Sequence, residues 1–487
     1  MDPFIVSTSL DKPGAAARKL IRRHVMRGKN RRNERIPGLT LVGGRPILLP
    51  RPAAEKLTAT ALEGNDENEQ SHKRRLLTPA HPQHQLTGAD FALTRFADSV
   101  EPYMLELVLG YFATVKQSLF PVQMCVAAHP NDSIWFHYLE EDAVYFHALM
   151  WSAQSYFDWL RLSSVSPSPL SLHHMAKTLE GLRQRLYEGS PLATSDTTIA
   201  VVSTLIMVAN LLGYSKSANV HMDGLRKIVM LRGGLASLDD NPLVQLKVCR
   251  SDLTTALVTG TKPLFWSDLN TARLVTDTEP SVLDHVTPPP PDLARYWAVF
   301  GLSCPQLSVL EIDPRLCEIW CDLRMFCGCA NWGYYTPEKV EPDWFQEILY
   351  SVEYRLMHPS FPPTEPFNET MRLGLLAVST TVFLQTATIK VRFEALTTGL
   401  RDSLLRMDWS GHGQKALRPW LLFAAGFAAA SDVDDYWLMP LLRDALQQAG
   451  LDSWEAARAF LKNFIWVDIV HDVEGMMIWE KAVGWNI

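Results

Sequence analysis

SDTTIAVVSTLIMVANLLGYSKSANVHMDGLRKIVMLRGGL, residues 195–235, reads as two helices joined by a tight turn. Ser195 and Asp196 are capping residues whose oxygens accept hydrogen bonds from the free amides of a helix start. From Ile199 to Leu212 nearly every position is apolar or small, which predicts a helix buried on most of its faces. Gly213 ends that helix, and Ser215 or Ser217 starts the next. In the second helix Ala218, Met222, Leu225 and Val229 fall at i, i+4, i+7 and i+11 and form one stripe. Asp223 precedes Arg226 and Lys227 by three and four residues, the spacing of an exposed polar face. Gly224 is expected to let a neighbouring helix come close, and Gly233-Gly234 to stop the segment. The reading is a helical hairpin in the core of an all-α body.

Further helical periodicity flanks the hairpin on both sides. Glu101 to Gln117, Trp135 to Leu162 and Leu172 to Glu188 precede it, the last with its stripe running through Met175, Leu179, Leu182 and Leu186. Pro242 to Val258 follows. Beyond a long irregular stretch come Arg315 to Phe326, Trp344 to Leu356, Met371 to Leu384, Phe393 to Leu405, Pro419 to Ala430, Tyr436 to Gln448 and Trp454 to Asp468. Pro419 suits a first helical turn, where its missing amide costs nothing. No convincing strand alternation occurs and no fixed repeat of 30–40 residues, so irregular antiparallel helix pairs around one extended core are expected. The proline run 288–291 reads as a spacer inside a surface insertion.

The hairpin also carries a resemblance. HMDGLRKIVMLRGGL, residues 221–235, resembles the signature of the fungal-specific transcription-factor regulatory domains, which often follow a six-cysteine binuclear zinc cluster. Members without the cluster are sometimes labelled "tachykinin family". Residues 195–205 and 252–265 resemble the blocks before and after that signature. IRRHVMRGKNRR (21–32) is similar to the basic opening of the cluster-less members, and residues 460–480 to their closing helix. The signature positions carried over are His221, Met222, Asp223, Gly224, Leu225, Arg232, Gly233 and Gly234, read as structural. The resemblance implies a nuclear regulator of transcription that acts through a helical regulation and protein-interaction domain, with metabolic genes as its field. Its implied partners are other transcription factors or regulatory proteins and an import receptor, with a small-molecule effector as a further possibility.

The bulk of the chain fits a large folded body. Its 487 residues give ample length, and 47% hydrophobic with 20% charged residues is ordinary for a globular protein. The formal charge of −7 hides an asymmetry, because residues 1–85 hold sixteen Lys or Arg against eight acids. Nine of those cations stand between 18 and 35: Arg18, Lys19, Arg22, Arg23, Arg27, Lys29, Arg31, Arg32 and Arg35. A nuclear import signal, a phosphate-contacting arm, a docking helix and a merely solvated tail all fit such a run. Residues 1–89 are therefore expected to be a basic, mostly disordered arm, and 90–487 the helical domain, with its fold beginning near Phe91.

Chemistry is sparsely signposted. The seven cysteines have no regular spacing, and the first hundred residues hold none, so a zinc cluster that would read DNA directly is missing from this chain. DNA contact is therefore expected only indirectly or through the arm. Cys317, Cys321, Cys327 and Cys329 are spaced C-x3-C-x5-C-x-C, which departs from paired zinc knuckles and reads as packing. His221 and Asp223 stand two apart and point different ways on a helix, and His173-His174 lacks a suitably spaced carboxylate. No G-x-S-x-G, H-E-x-x-H, P-loop or dinucleotide motif occurs, so no catalytic residue, metal or cofactor is assigned. The two longest uncharged runs, inside Asp196 to Lys216 and Arg372 to Lys390, carry polar residues and read as buried helices, so no membrane contact is expected. A cytoplasmic helical scaffold and a small-molecule-binding protein are the rival readings.

Overall fold

The computed structural model describes residues 77–79, 95–112, 120–162, 167–187, 190–266, 312–386, 389–429 and 432–485. The chain divides into two units, residues 1–58 and 59–487, and all described residues belong to the second. The nine basic residues between 18 and 35 and the proline run 288–291 lie outside the described residues.

The architecture is all-α. Among the described residues, seven helices lie before position 267: α1 (Pro102–Gly110), α2 (Ile134–Glu141), α3 (Ala143–Leu162), α4 (Pro169–Tyr187), α5 (Asp196–Leu211), α6 (Ser215–Arg232) and α7 (Pro242–Thr259). Eight more lie after position 311: α8 (Pro314–Tyr335), α9 (Pro342–Met357), α10 (Pro366–Phe383), α11 (Glu394–Arg406), α12 (His412–Ala429), α13 (Asp435–Gln448), α14 (Trp454–Leu461) and α15 (Asp468–Val483). Helices adjacent in sequence pair with one another, as α3 with α4, α5 with α6, and α9 with α10. Helix α7 joins the two sets, packing on α5 and α6 on one side and on α9 and α11 on the other. One hydrophobic cluster runs through both sets. Trp320, Trp420 and Trp466 are among its fully buried side chains, and the Trp320 and Trp420 rings meet edge to face at 5.3 Å.

The only regular strands among the described residues form one small antiparallel pair. β1 (Leu77–Pro79) sets Leu77 opposite Val340 and Pro79 opposite Glu338 of β2 (Glu338–Val340). Residues 77–79, within the arm expected to be mostly disordered and upstream of the expected start near Phe91, thus pair with the helical domain's β2. Three-residue strands are too short to show alternation in a sequence.

Helix boundaries differ from the periodicity in physically simple ways. The segment 135–162 is two helices, because Asp142 leaves the helical conformation and its carboxylate accepts from the Tyr145 amide at 2.9 Å, capping α3. Pro419 is interior to α12 rather than in its first turn, since that helix starts seven residues earlier at His412. Its missing amide leaves a carbonyl one turn back without an intrahelical donor, at Lys415, which faces solvent. The segment 454–468 stops at Leu461, and a new helix begins at Asp468. There the His471 ring accepts from the Val467 amide at 2.9 Å and closes the start of α15.

Helix α4 is rotated from its expected stripe, of which Leu182 is buried and Met175 half-buried while Leu179 and Leu186 are exposed. Ser171, His174, Thr178 and Leu182 face inward, while Leu172, Leu179 and Leu186 are exposed. Polar bonds fix this orientation: the Ser171 and Ser155 hydroxyls meet at 2.9 Å and the His174 and His147 rings at 2.9 Å, both pairs buried. Hydrophobic periodicity alone sets the inner face one residue off over the first turns, at Met175 and Leu179 instead of His174 and Thr178, because the side chains buried there are polar.

The candidate interaction surface and its supports

The hairpin α5–α6 is built as a locked unit. The Ser195 hydroxyl accepts from the Thr198 amide at 3.2 Å and caps α5. Twelve of the sixteen residues of α5 are buried, as expected of a helix apolar all round. Gly213 (φ +77°) turns the chain, and the Tyr214 amide donates to the Ala209 carbonyl at 2.8 Å. Ser215 is the first residue of α6, and neither it nor Ser217 supplies a side-chain cap. Gly233 (φ +120°) and Gly234 (φ +88°) end α6 in backbone conformations that side chains resist.

Arg232 closes the unit from its far end. Its guanidinium pairs with Asp196 at the start of α5 and donates to the Thr194 carbonyl at 3.2 Å. The other Asp196 oxygen accepts from Asn241 at 2.8 Å, and Asn241 also donates to the Tyr138 hydroxyl at 3.0 Å. Asn241 caps α7 as well, accepting from the Val244 amide. One carboxylate thereby ties the starts of α5 and α7 to the end of α6. Asp196→Ala is expected to cost about 2 kcal/mol of stability, the size of a charged hydrogen-bond pair that is three-quarters buried. Urea denaturation measures it, and an unchanged midpoint would show that the lock carries no weight.

The remaining signature residues divide between core and surface. Met222 and Leu225 are buried, together with Ala218, Ile228 and Val229. His221 is half-buried, and burial holds its ring below the usual imidazole pKa. Asp223 faces solvent. Gly224 departs from its expected role: among the described residues no atom lies within 4 Å of a Cβ built there, so no described helix approaches it closely. At Gly475, by contrast, such a Cβ would stand 2.6 Å from Trp466. The outward side of α6 thus carries Lys216, Val220, Asp223, Arg226, Lys227, Met230 and Leu231, all exposed, around an open glycine.

A second polar constellation lies behind α4. Asp98 Oδ2 lies 3.0 Å from His147 Nε2, His147 Nδ1 lies 2.9 Å from His174 Nδ1, and His174 Nε2 lies 3.1 Å from the Tyr103 hydroxyl. Burial lowers the pKa of both rings, that of His174 to about 4, so both are neutral near pH 7. One proton arrangement satisfies every contact. Tyr103 donates to His174, His174 donates to His147, and His147 donates to the Asp98 carboxylate. The chain of bonds clamps the segment at Asp98 and helices α1, α3 and α4 together. The adjacent pair His173-His174 is its only local trace in the sequence, because its four members come from four separate segments.

Other candidate positions are ordinary. Cys317 and Cys321 are half-buried and Cys327 and Cys329 buried, all on α8, and burial pushes every one of these thiols upward, Cys327 to about 12. They are protonated thiols at neutral pH. Among the described residues no group of three or more His, Cys, Asp or Glu is placed to hold a metal ion, and no helix is long and apolar enough to cross a membrane. A groove of about 110 Å³ lies among Leu404, Leu405, Met407, Trp409, Arg418, Leu422 and Leu441. That is well below the roughly 300 Å³ at which pockets begin to enclose metabolite-sized ligands. No family model, curated protein or solved structure matches the chain.

Proposed function

We propose that this protein is a nuclear regulator of transcription, similar to the effector half of the fungal zinc-cluster factors but without their DNA-reading module. Its helical body serves as a platform for other regulatory proteins, and its basic segment at 18–35 supplies nuclear entry or contact with a partner. Metabolic genes are the field that the resemblance of residues 221–235 implies. A small-molecule effector would act on the platform rather than be transformed by it.

The observation that carries this reading is the construction of α6. One side of the signature helix is buried and locked by Arg232 to Asp196, while the other presents apolar and basic side chains to solvent. A rigid helix with an apolar, charged outer face is suited to binding another protein. The experiment is the localisation of a fluorescent fusion of the full chain beside one lacking residues 18–35. The full chain is expected in the nucleus and the deletion in the cytoplasm. Exclusion of the full chain from nuclei would leave a cytoplasmic scaffold as the better account.

A further inference from the structure

The open glycine of α6 points to what binds there. Glycine is the poorest helix former after proline, and Gly224 stands mid-helix with no packing demand from any described residue. It lies four residues after Val220 and seven before Leu231, which puts all three on one side of the helix. Val220 is 69% exposed and Leu231 79%, with Met230 beside Leu231 also exposed. Two apolar anchors thus flank a notch, about 16 Å apart along the axis, or three helical turns. Three cations stand on the exposed positions of this helix, Lys216, Arg226 and Lys227, against a single carboxylate, Asp223.

We propose that the outer face of α6 docks an acidic amphipathic helix of another protein. Val220 and Leu231 insert between its apolar residues, Gly224 admits its closest side chain, and its carboxylates meet Lys216, Arg226 and Lys227. Charge selects this occupant over a second copy of the chain. Pairing two α6 helices would bring the same three cations of each copy against one another, whereas an acidic helix neutralises them. The proposal rests on the reading of the body as an interaction platform and names the chemistry of its partner.

The test uses the purified full chain and two synthetic sixteen-residue peptides, followed by fluorescence anisotropy at physiological salt. Both peptides carry Leu at i, i+4, i+7 and i+11, with Glu at most other positions in one and Lys in the other. The Glu peptide is expected to bind, and the Lys peptide to bind at least tenfold more weakly. Leu231→Glu and Val220→Glu should each weaken the Glu peptide at least tenfold without shifting Tm, since both side chains are exposed. Gly224→Leu should weaken it comparably by filling the notch. Gly224→Ala should raise Tm by about 1–2 °C while weakening binding several-fold, whereas a purely local role for the glycine would move Tm alone.

Equal binding of the two peptides, or binding untouched by both glutamate variants, would overturn the proposal. A concentration-dependent dimer abolished by Leu231→Glu would assign the face to a second copy. Binding to anionic phosphatidylserine vesicles that Leu231→Glu abolishes, with no binding of the Glu peptide, would assign it to a membrane surface. Localisation of the unsubstituted full-chain fusion, beside peptide binding by the unsubstituted purified chain, separates the two levels. A nuclear fusion whose purified chain ignores the peptide sinks the docking alone, and a chain that binds the peptide yet stays out of nuclei sinks the regulatory reading alone.

Discussion

Leu225→Ala is expected to destabilise the body by about 3 kcal/mol, while Leu231→Ala, six residues further along the same helix, changes stability by less than about 0.5 kcal/mol. Leu225 is fully buried in the main hydrophobic cluster, so its truncation loses the transfer free energy of the removed atoms and leaves a cavity. Leu231 gives up contacts mainly with water. A loss of 3 kcal/mol is a large fraction of the 5–15 kcal/mol that holds an ordinary domain folded. Urea midpoints of the two variants at constant slope measure the contrast. Equal losses would mean that α6 is rotated from the orientation described.

The second large effect is a dependence of stability on pH that one side chain produces. Glu353 of α9 is fully buried, and neither carboxyl oxygen meets a hydrogen-bond partner at good geometry. Burial pushes its pKa up to about 8 from an ordinary 4.5, with the Ser379 hydroxyl pulling weakly the other way. Below pH 4.5 the carboxyl is protonated in the folded and unfolded chains alike, and contributes no slope. Between 4.5 and 8 the unfolded chain releases the proton while the folded chain keeps it, so stability falls as pH rises. Above about 8 both are ionised and the full penalty stands. Glu353→Gln removes this slope. Its stability relative to wild type is expected to rise by on the order of 3 kcal/mol between pH 5 and pH 8. Denaturation at the two pH values reads the difference, and an unchanged difference would show that Glu353 ionises freely in the fold.

The sequence shows some of these features and hides others, for identifiable reasons. The all-helical body and the α5–α6 hairpin are legible, because the stripe Ala218, Met222, Leu225 and Val229 has helical spacing and the caps Ser195 and Gly233 are local signals. The orientation of α4 is not legible. Its leucines predict one inner face, but the Ser155–Ser171 and His147–His174 bonds select another, and those partners come from a different helix. The same holds for the lock on Asp196, whose partners Arg232 and Asn241 lie 36 and 45 residues away. Pro419 misleads because a proline inside a helix and a proline at its start look alike in sequence. Gly224 misleads as well, since a glycine that admits a neighbouring helix and one that meets no described residue look alike in sequence.

The locked hairpin, the buried carboxyl and the polar clamp behind α4 all concern how the body holds its shape. The central claim concerns what that body does, and chromatin association of the tagged full chain tests it most directly. The account predicts enrichment at discrete genomic loci that is lost when residues 18–35 are deleted and weakened by Leu231→Glu. A profile indistinguishable from that of an untagged control, with the full chain intact and folded, would contradict it.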